Sequence, residues 1–180
     1  QYVRPPAPMP DTHETRADMA GFITSARALD CKMGIVLDAL QESGLAENTL
    51  VICTTDHGLA FPAMKCNLTA HGTGVMLILR GPGGLSGGKV IDALVSQIDL
   101  FPSLCDLLQL APPAWLQGCS LLPLARGETA AVHEAVFSEV NFHVSSEPQL
   151  SARTPRWNYI LRFDSRDHPV LPNCDDSVSK

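Results

Sequence analysis

The sequence predicts an α/β fold, a mainly parallel sheet flanked by helices, followed by a small α+β piece at the carboxyl end. That expectation rests on a long amphipathic segment (residues 11–43), on short runs that are apolar throughout (50–53 and 75–79), and on a further helical segment starting at Asp99. Strands covered on both faces by helices read as unbroken apolar stretches, and helices interleaved with such stretches are the α/β pattern.

Taken in order, Pro5, Pro6, Pro8 and Pro10 keep residues 1–10 out of regular structure. Asp11 precedes Glu14 by three residues, the spacing of a capping box, and starts a helix. Apolar side chains at Met19, Phe22, Ile23, Ala26, Leu29, Met33, Val36, Leu37 and Leu40 recur mostly in steps of three or four and predict one buried stripe. Gly44 suits the left-handed conformation at the end of that helix. Leu50-Val51-Ile52-Cys53 and Val75-Met76-Leu77-Ile78-Leu79 read as strands buried on both faces, with turns at Gly81-Pro82-Gly83-Gly84 and Gly87-Gly88. A helix runs from Asp99, a capping residue, to about Leu110, with Pro102 tolerated in its first turn and Pro112-Pro113 beyond it. Glu134–Val140 reads as a third strand. Trp157–Phe163, with Trp157, Tyr159, Leu161 and Phe163 on one face, reads as a half-exposed antiparallel strand. The α/β portion is expected over residues 1–144 and the start of a carboxyl-terminal subdomain over 145–180.

Composition narrows the function classes. Hydrophobic residues make up 45% and charged residues 18%, the balance of a chain that buries a core. No apolar run is long enough to span a bilayer. The net charge is -6 without any cluster of Lys or Arg, which argues against a nucleic-acid partner, since that affinity comes from neutralising many phosphates. A small anionic substrate stays open, because one well-placed Lys serves one sulfate or phosphate. Six cysteines (Cys31, Cys53, Cys66, Cys105, Cys119, Cys174) show no metal-site spacing and are expected to act as small buried apolar groups. No compartment follows from these residues. Opening on Gln1 and closing on Lys180, the chain is expected to be a segment of a longer protein.

The residues that carry chemistry follow the first apolar strand: Thr54-Thr55-Asp56-His57-Gly58. Loops at the carboxyl ends of strands in open α/β sheets converge above a rigid platform, where ligands gather. Asp56 offers a hard oxygen and His57 a borderline nitrogen to one divalent cation. Gly58 lets the backbone turn sharply. The long connection onward to Gly74 contains Lys65 and His71, both able to face an anion. The plain alternative is that Asp56-His57-Gly58 only shapes a turn, with His57 bonded to the backbone. Asn67-Leu68-Thr69 matches a glycosylation acceptor, a short pattern that is usually coincidental. Trp115 and Trp157 are expected in packing roles.

Ordered matches along the chain resemble the sulfatase family of the alkaline phosphatase superfamily. They are Leu37-Asp38-Ala39-Leu40 through Gly44-Leu45, Asn48-Thr49-Leu50-Val51-Ile52, Thr55-Asp56-His57-Gly58, Met76-Leu77-Ile78-Leu79-Arg80-Gly81-Pro82-Gly83, Asp99-Leu100-Phe101-Pro102-Ser103-Leu104 and Gly118-Cys119-Ser120-Leu121-Leu122-Pro123-Leu124. Phe61-Pro62 followed by Lys65-Cys66-Asn67-Leu68 is similar to the N-sulfoglucosamine sulfohydrolase branch. The resemblance implies an alkaline-phosphatase-like sandwich and hydrolysis of a sulfate ester or sulfated sugar. It also implies a divalent cation, Ca²⁺ foremost with Mg²⁺ or Mn²⁺ in some relatives, held in part by Asp56 and His57. Lys65 falls where family members place a cation on the sulfate; His71 has no firm counterpart and reads first as a loop residue, with a substrate contact as the alternative. His57 departs from the Asn of many sulfatases and is shared with choline-sulfatase-like and phosphonate-monoester-hydrolase-like relatives. Gly74 stands where many carry Arg.

The resemblance also implies a formylglycine nucleophile made from Cys in a Cys-x-Pro-x-Arg motif, or from Ser. No Cys or Ser of this chain sits in such a motif, so it is expected in sequence preceding Gln1, and the chain alone is expected to be inactive. Two alternatives stand beside the sulfatase reading: a phosphonate monoester or phosphodiester hydrolase of the same superfamily, and a non-catalytic α/β binding domain.

Overall fold

A computed structural model describes residues 3–168 and 170–180. Helix α1 spans His13–Glu42, and Thr12 caps it rather than Asp11. The Thr12 hydroxyl accepts from the Thr15 N–H while the Thr15 hydroxyl accepts from the Thr12 N–H at 3.0 Å, a reciprocal box built from two threonines. Asp11 instead takes a bond of 2.8 Å from Arg16. Gly44 closes the helix in the left-handed region at φ 73°, as its position predicts.

The expected buried stripe of α1 is largely uncovered. Leu29 is 51% exposed and Val36 68%, and neighbouring Ile35 is 68% exposed as well. Its contacts include Phe22 meeting Phe61 edge-on at 5.9 Å, Met19 packing against the cluster of Met9, Phe61 and Met64, Cys53 approaching Met33, and Asp18 accepting from Ser179 N–H. The spacing is helical, but this chain supplies little to lie against the face.

Strands β1 (Val51–Thr54) and β2 (Leu77–Arg80) form a two-stranded sheet, and they run antiparallel, from Val51↔Arg80 to Thr54↔Leu77. This pair is antiparallel, in a chain whose mixed helices and strands keep the expected α/β class. The connection between them holds only the single-turn helix α2 (Ala70–Thr73), which folds back on the start of the loop through Gly58 N–H to Gly72 O and Leu59 N–H to His71 O. Without a crossover, the chain re-enters beside the strand it left. Neither strand is buried on both faces, since Ile52 is exposed and Ile78 is 55% exposed.

Beyond β2, a 3-10 turn at Gln97–Asp99 leads into α3 (Leu100–Leu107), shorter than predicted because Gln109 turns to φ 56°. Helix α4 (Leu122–Arg126) ends at Gly127. Leu85, Leu122 and Ala125 form a core against Leu50, Leu79 and Leu107, which fixes β1 and β2 from below. A second core of Met9, Phe61 and Met64, with Met19 and Leu59, lies beneath the loop after β1.

Strands β3 (Val136–Phe142), β4 (Ser146–Arg153) and β5 (Asn158–Arg162) make an antiparallel sheet in that order, pairing residues across position 144. Two of the three follow the predicted runs within two residues. The central strand β4 was not expected, and its burial explains why: Glu147, Gln149 and Ser151 face inward at 3%, 1% and 6% exposure. Large apolar side chains line the outward side, including Phe137, Tyr159 and Leu161; Trp115 and Trp157 are exposed, with Trp115 lying against Phe101 at 5.9 Å.

The inward polar face of this sheet meets the loop after β1. Gln149 Nε2 donates to Cys66 O at 3.1 Å, Asn158 Nδ2 to Leu68 O at 2.9 Å, and Arg162 Nη2 to Asn67 Oδ1 at 2.7 Å. Asn67 is therefore buried and bonded, not a free glycosylation acceptor. Asn173 in the tail accepts from Val144 and Ser145 N–H at 3.0 Å each and donates to Glu147, tying the last residues to the same sheet.

Candidate functional site

The site begins where β1 ends. The chain turns at Gly58 so tightly against α2 that a Cβ there would lie 1.9 Å from His71 O and 2.8 Å from its carbon. Both atoms are backbone, so no side chain can yield. Gly58→Ala is expected to lower the thermal midpoint of unfolding by several degrees, roughly 2–3 kcal/mol of stability, through this overlap and the strained Gly72 and Leu59 hydrogen bonds. A scanning-calorimetry midpoint within a degree of the parent would remove the claim that the loop needs glycine here.

Asp56 and His57 stand side by side at the mouth of the turn. The Asp56 carboxyl is 89% exposed, the His57 ring 33%, and His57 Nε2 lies 3.9 Å from Asp56 Oδ1. Asp56 Oδ1 also accepts from the His57 N–H at 3.1 Å. The His57 Nδ1 lies 2.8 Å from Gly58 O. A carbonyl only accepts, so Nδ1 carries a proton, and Nε2 is the ring nitrogen that faces the carboxylate side. The backbone bond named as the plain alternative is thus present, and it orients the ring rather than consuming it.

The donor set suits a divalent cation. A carboxylate oxygen and an imidazole nitrogen 3.9 Å apart can both reach one ion, since metal–ligand bonds run about 2.0–2.6 Å. Among the described residues no group of three or more His, Cys, Asp or Glu is placed to hold a metal, so Asp56 and His57 alone would not complete a coordination sphere.

Lys65 lies farther along the same loop, between Ala63 at φ 61° and Cys66 at φ 60°, two non-glycine residues in the left-handed region. Such conformations persist only where the surroundings over-determine them. The Lys65 ammonium donates to Asp175 Oδ1 at 2.6 Å, with Lys65 15% and Asp175 63% exposed. That bond holds the Lys65 pKa above its ordinary value against the effect of burial, and the Asp56 carboxylate adds to the rise. The same bond depresses the Asp175 pKa, with the nearby His57 contributing. Asp56, His57, Lys65 and Asp175 therefore share one electrostatic neighbourhood. His71 enters through its carbonyl, which accepts the Leu59 N–H at 3.1 Å.

Asp175, the partner of Lys65, has no feature in the sequence that singles it out. It lies 110 positions from Lys65 in a polar tail without a motif, and no local signal could have found it. The cysteines are all free; Cys105 and Cys174 are buried as expected, whereas Cys31 and Cys119 are exposed. Burial pushes the Cys66 and Cys174 thiols up, away from reactivity. Two cavities, of about 1000 Å³ beside β2 and the 81–91 loop and about 670 Å³ beside α3, exclude the four site residues.

Comparison with known proteins identifies the family of the chain. Residues 4–110 match the Sulfatase family model and residues 67–169 the model for N-sulphoglucosamine sulphohydrolase, C-terminal. The chain is 35% identical to human N-sulphoglucosamine sulphohydrolase over 96% of its own length and 38% of that protein. It is 33% identical to the Delta 4,5-hexuronate-2-O-sulfatase of Bacteroides thetaiotaomicron over 78% of its length and 31% of that protein. A structure solved with its substrate D-glucosamine-2-N,6-O-disulfate shares the fold at a TM-score of 0.71 and 20% identity, covering 86% of this chain and 33% of that one. The chain thus spans between 31% and 38% of the length of these proteins. No helix among the described residues is long and apolar enough to cross a membrane. The chain belongs to the sulfatase family.

Proposed function

We propose that the complete protein is a sulfuric ester hydrolase acting on sulfated sugars, and that this chain supplies part of its cation site and one sulfate contact. The observation that carries the reading is the Asp56–His57 pair, with Nε2 turned from the backbone bond toward the carboxylate and an ordered ammonium on the same loop, in a chain of this family. The relatives named above are described by their sulfated sugars, which supports the substrate class.

Asp56 and His57 would hold the cation; the family resemblance implies Ca²⁺, with Mg²⁺ or Mn²⁺ as alternatives, an ion that the carboxylate oxygen suits better than the imidazole nitrogen does. A cation bound there would supply the positive charge that polarises sulfate oxygens. Gly58 O keeps the His57 ring turned so that Nε2 faces outward. Lys65 spends one of its three N–H donors on Asp175 and keeps two for a sulfate oxygen. His71 remains a candidate second substrate contact through its ring. The family's nucleophile, a formylglycine, has no counterpart among the residues of this chain.

A second reading, a phosphonate or phosphodiester hydrolase, draws on the His at position 57 where many sulfatases carry Asn. The complete gene product, assayed with Ca²⁺ on an aryl sulfate and an aryl phosphate ester side by side, is expected to turn over the sulfate faster. Residues 1–180 alone are expected to give no turnover. A preference for the phosphate ester would favour the second reading, and turnover by residues 1–180 would refute the division of labour proposed here.

A further inference from the structure

We infer that Asp175 is a positioning residue for the site, holding the Lys65 ammonium in place from the carboxyl-terminal tail. The inference rests on the sulfatase reading of Lys65 and adds a residue 110 positions away.

Lysine is a poor fixed cation by itself, because its four-carbon stem carries much rotamer freedom. Here the stem is largely covered and the ammonium ends on a single carboxylate at 2.6 Å. Asp175 is in turn held at both ends. Its N–H donates to Ala60 O at 3.2 Å, on the same loop as Lys65. Just before it, Asn173, 2% exposed, is bonded to Val144, Ser145 and Glu147, so the tail is anchored to the β3–β4 connection. Lys180 Nζ donates to Cys174 O and Asp176 Oδ1, and Ser179 N–H donates to Asp18 Oδ2 at 2.7 Å, fastening the far side. The tail thus crosses the loop as a clamped strap with Asp175 facing the lysine.

A carboxylate beside an anion site also repels the anion, so the sign must be decided. Asp175 is 63% exposed and its field is screened by water, while Lys65 is 15% exposed and its ordering is preserved. Positioning therefore outweighs repulsion, and loss of Asp175 weakens substrate binding.

The test is a double-mutant cycle in the complete gene product with Ca²⁺ and an aryl sulfate: Lys65→Ala, Asp175→Ala, both together, and Asp175→Glu. Asp175→Ala is expected to raise KM about tenfold with kcat changed less, the scale of one ordered side chain. The double variant should be no worse than Lys65→Ala, and Asp175→Glu should restore much of the KM. Additive losses, a lowered or unchanged KM for Asp175→Ala, or a loss that tracks only the thermal midpoint would overturn the positioning role. An unchanged KM for Lys65→Ala would instead sink the assignment of Lys65 to the substrate, and this inference with it.

Discussion

Asp56→Ala in the complete gene product is expected to lower calcium-dependent sulfate-ester hydrolysis by at least about 100-fold while leaving stability within about 0.5 kcal/mol of the parent. The two halves of that expectation come from the same geometry. Substitution even of outer groups around a metal costs about 10–100-fold, and a carboxylate that touches the ion should cost no less. Yet the Asp56 carboxyl is 89% exposed, and its bond from the His57 N–H is replaceable by water. Its removal therefore opens no cavity and orphans no buried donor. Calorimetric titration with Ca²⁺ should show weaker binding in step with the lost activity. Unchanged calcium affinity in the variant would end the assignment of Asp56 to the metal.

The largest stability effect is expected at Asp99, far from that chemistry. Its side chain is 0% exposed and its carboxylate collects three segments of chain. Oδ2 accepts the Ser96 N–H at 2.7 Å, Oδ1 accepts the Cys119 N–H at 2.9 Å, and His133 Nε2 lies 2.9 Å from both oxygens. Asp99→Ala would leave two backbone donors and an imidazole without their partner, at about 1–3 kcal/mol each before water enters. A net loss of about 3–5 kcal/mol is expected, read as a fall in the urea midpoint. A loss below about 1 kcal/mol would mean that the three donors find other acceptors and that Asp99 is no cross-link. Its place before an apolar helix predicts a cap, yet its side chain makes no bond to the N–H groups of α3 and turns instead to Ser96, Cys119 and His133, 34 positions on.

That contrast runs through the whole chain. Helix α1 is legible because three- and four-residue spacing persists along it, and β1 and β2 because nothing but apolar residues fills them. Their pairing direction is illegible, since it depends on how the loop between them folds rather than on what the strands contain. Strand β4 escapes notice because hydrophobic periodicity assumes an apolar side faces in, and here Glu147, Gln149 and Ser151 do. In the candidate site, Asp56, His57 and Lys65 announce themselves by their types and by the strand before them. Asp175 does not, because a carboxylate in a polar tail acquires meaning only when the tail is brought back across the loop.

The seam between β4–β5 and residues 66–68 constrains how such a protein can vary. Two of its three hydrogen bonds end on main-chain carbonyls, at Cys66 and Leu68, and the third on the Asn67 side chain. Carbonyls are the same whatever residue bears them, so these bonds by themselves do not fix the identity of positions 66 and 68; burial of Leu68 and the left-handed backbone at Cys66 do that. Spacing is what the bonds do fix: inserting or deleting one residue would shift all three acceptors past their donors at once. The sheet acts as a ruler laid along the loop, tolerant of spelling and strict about length.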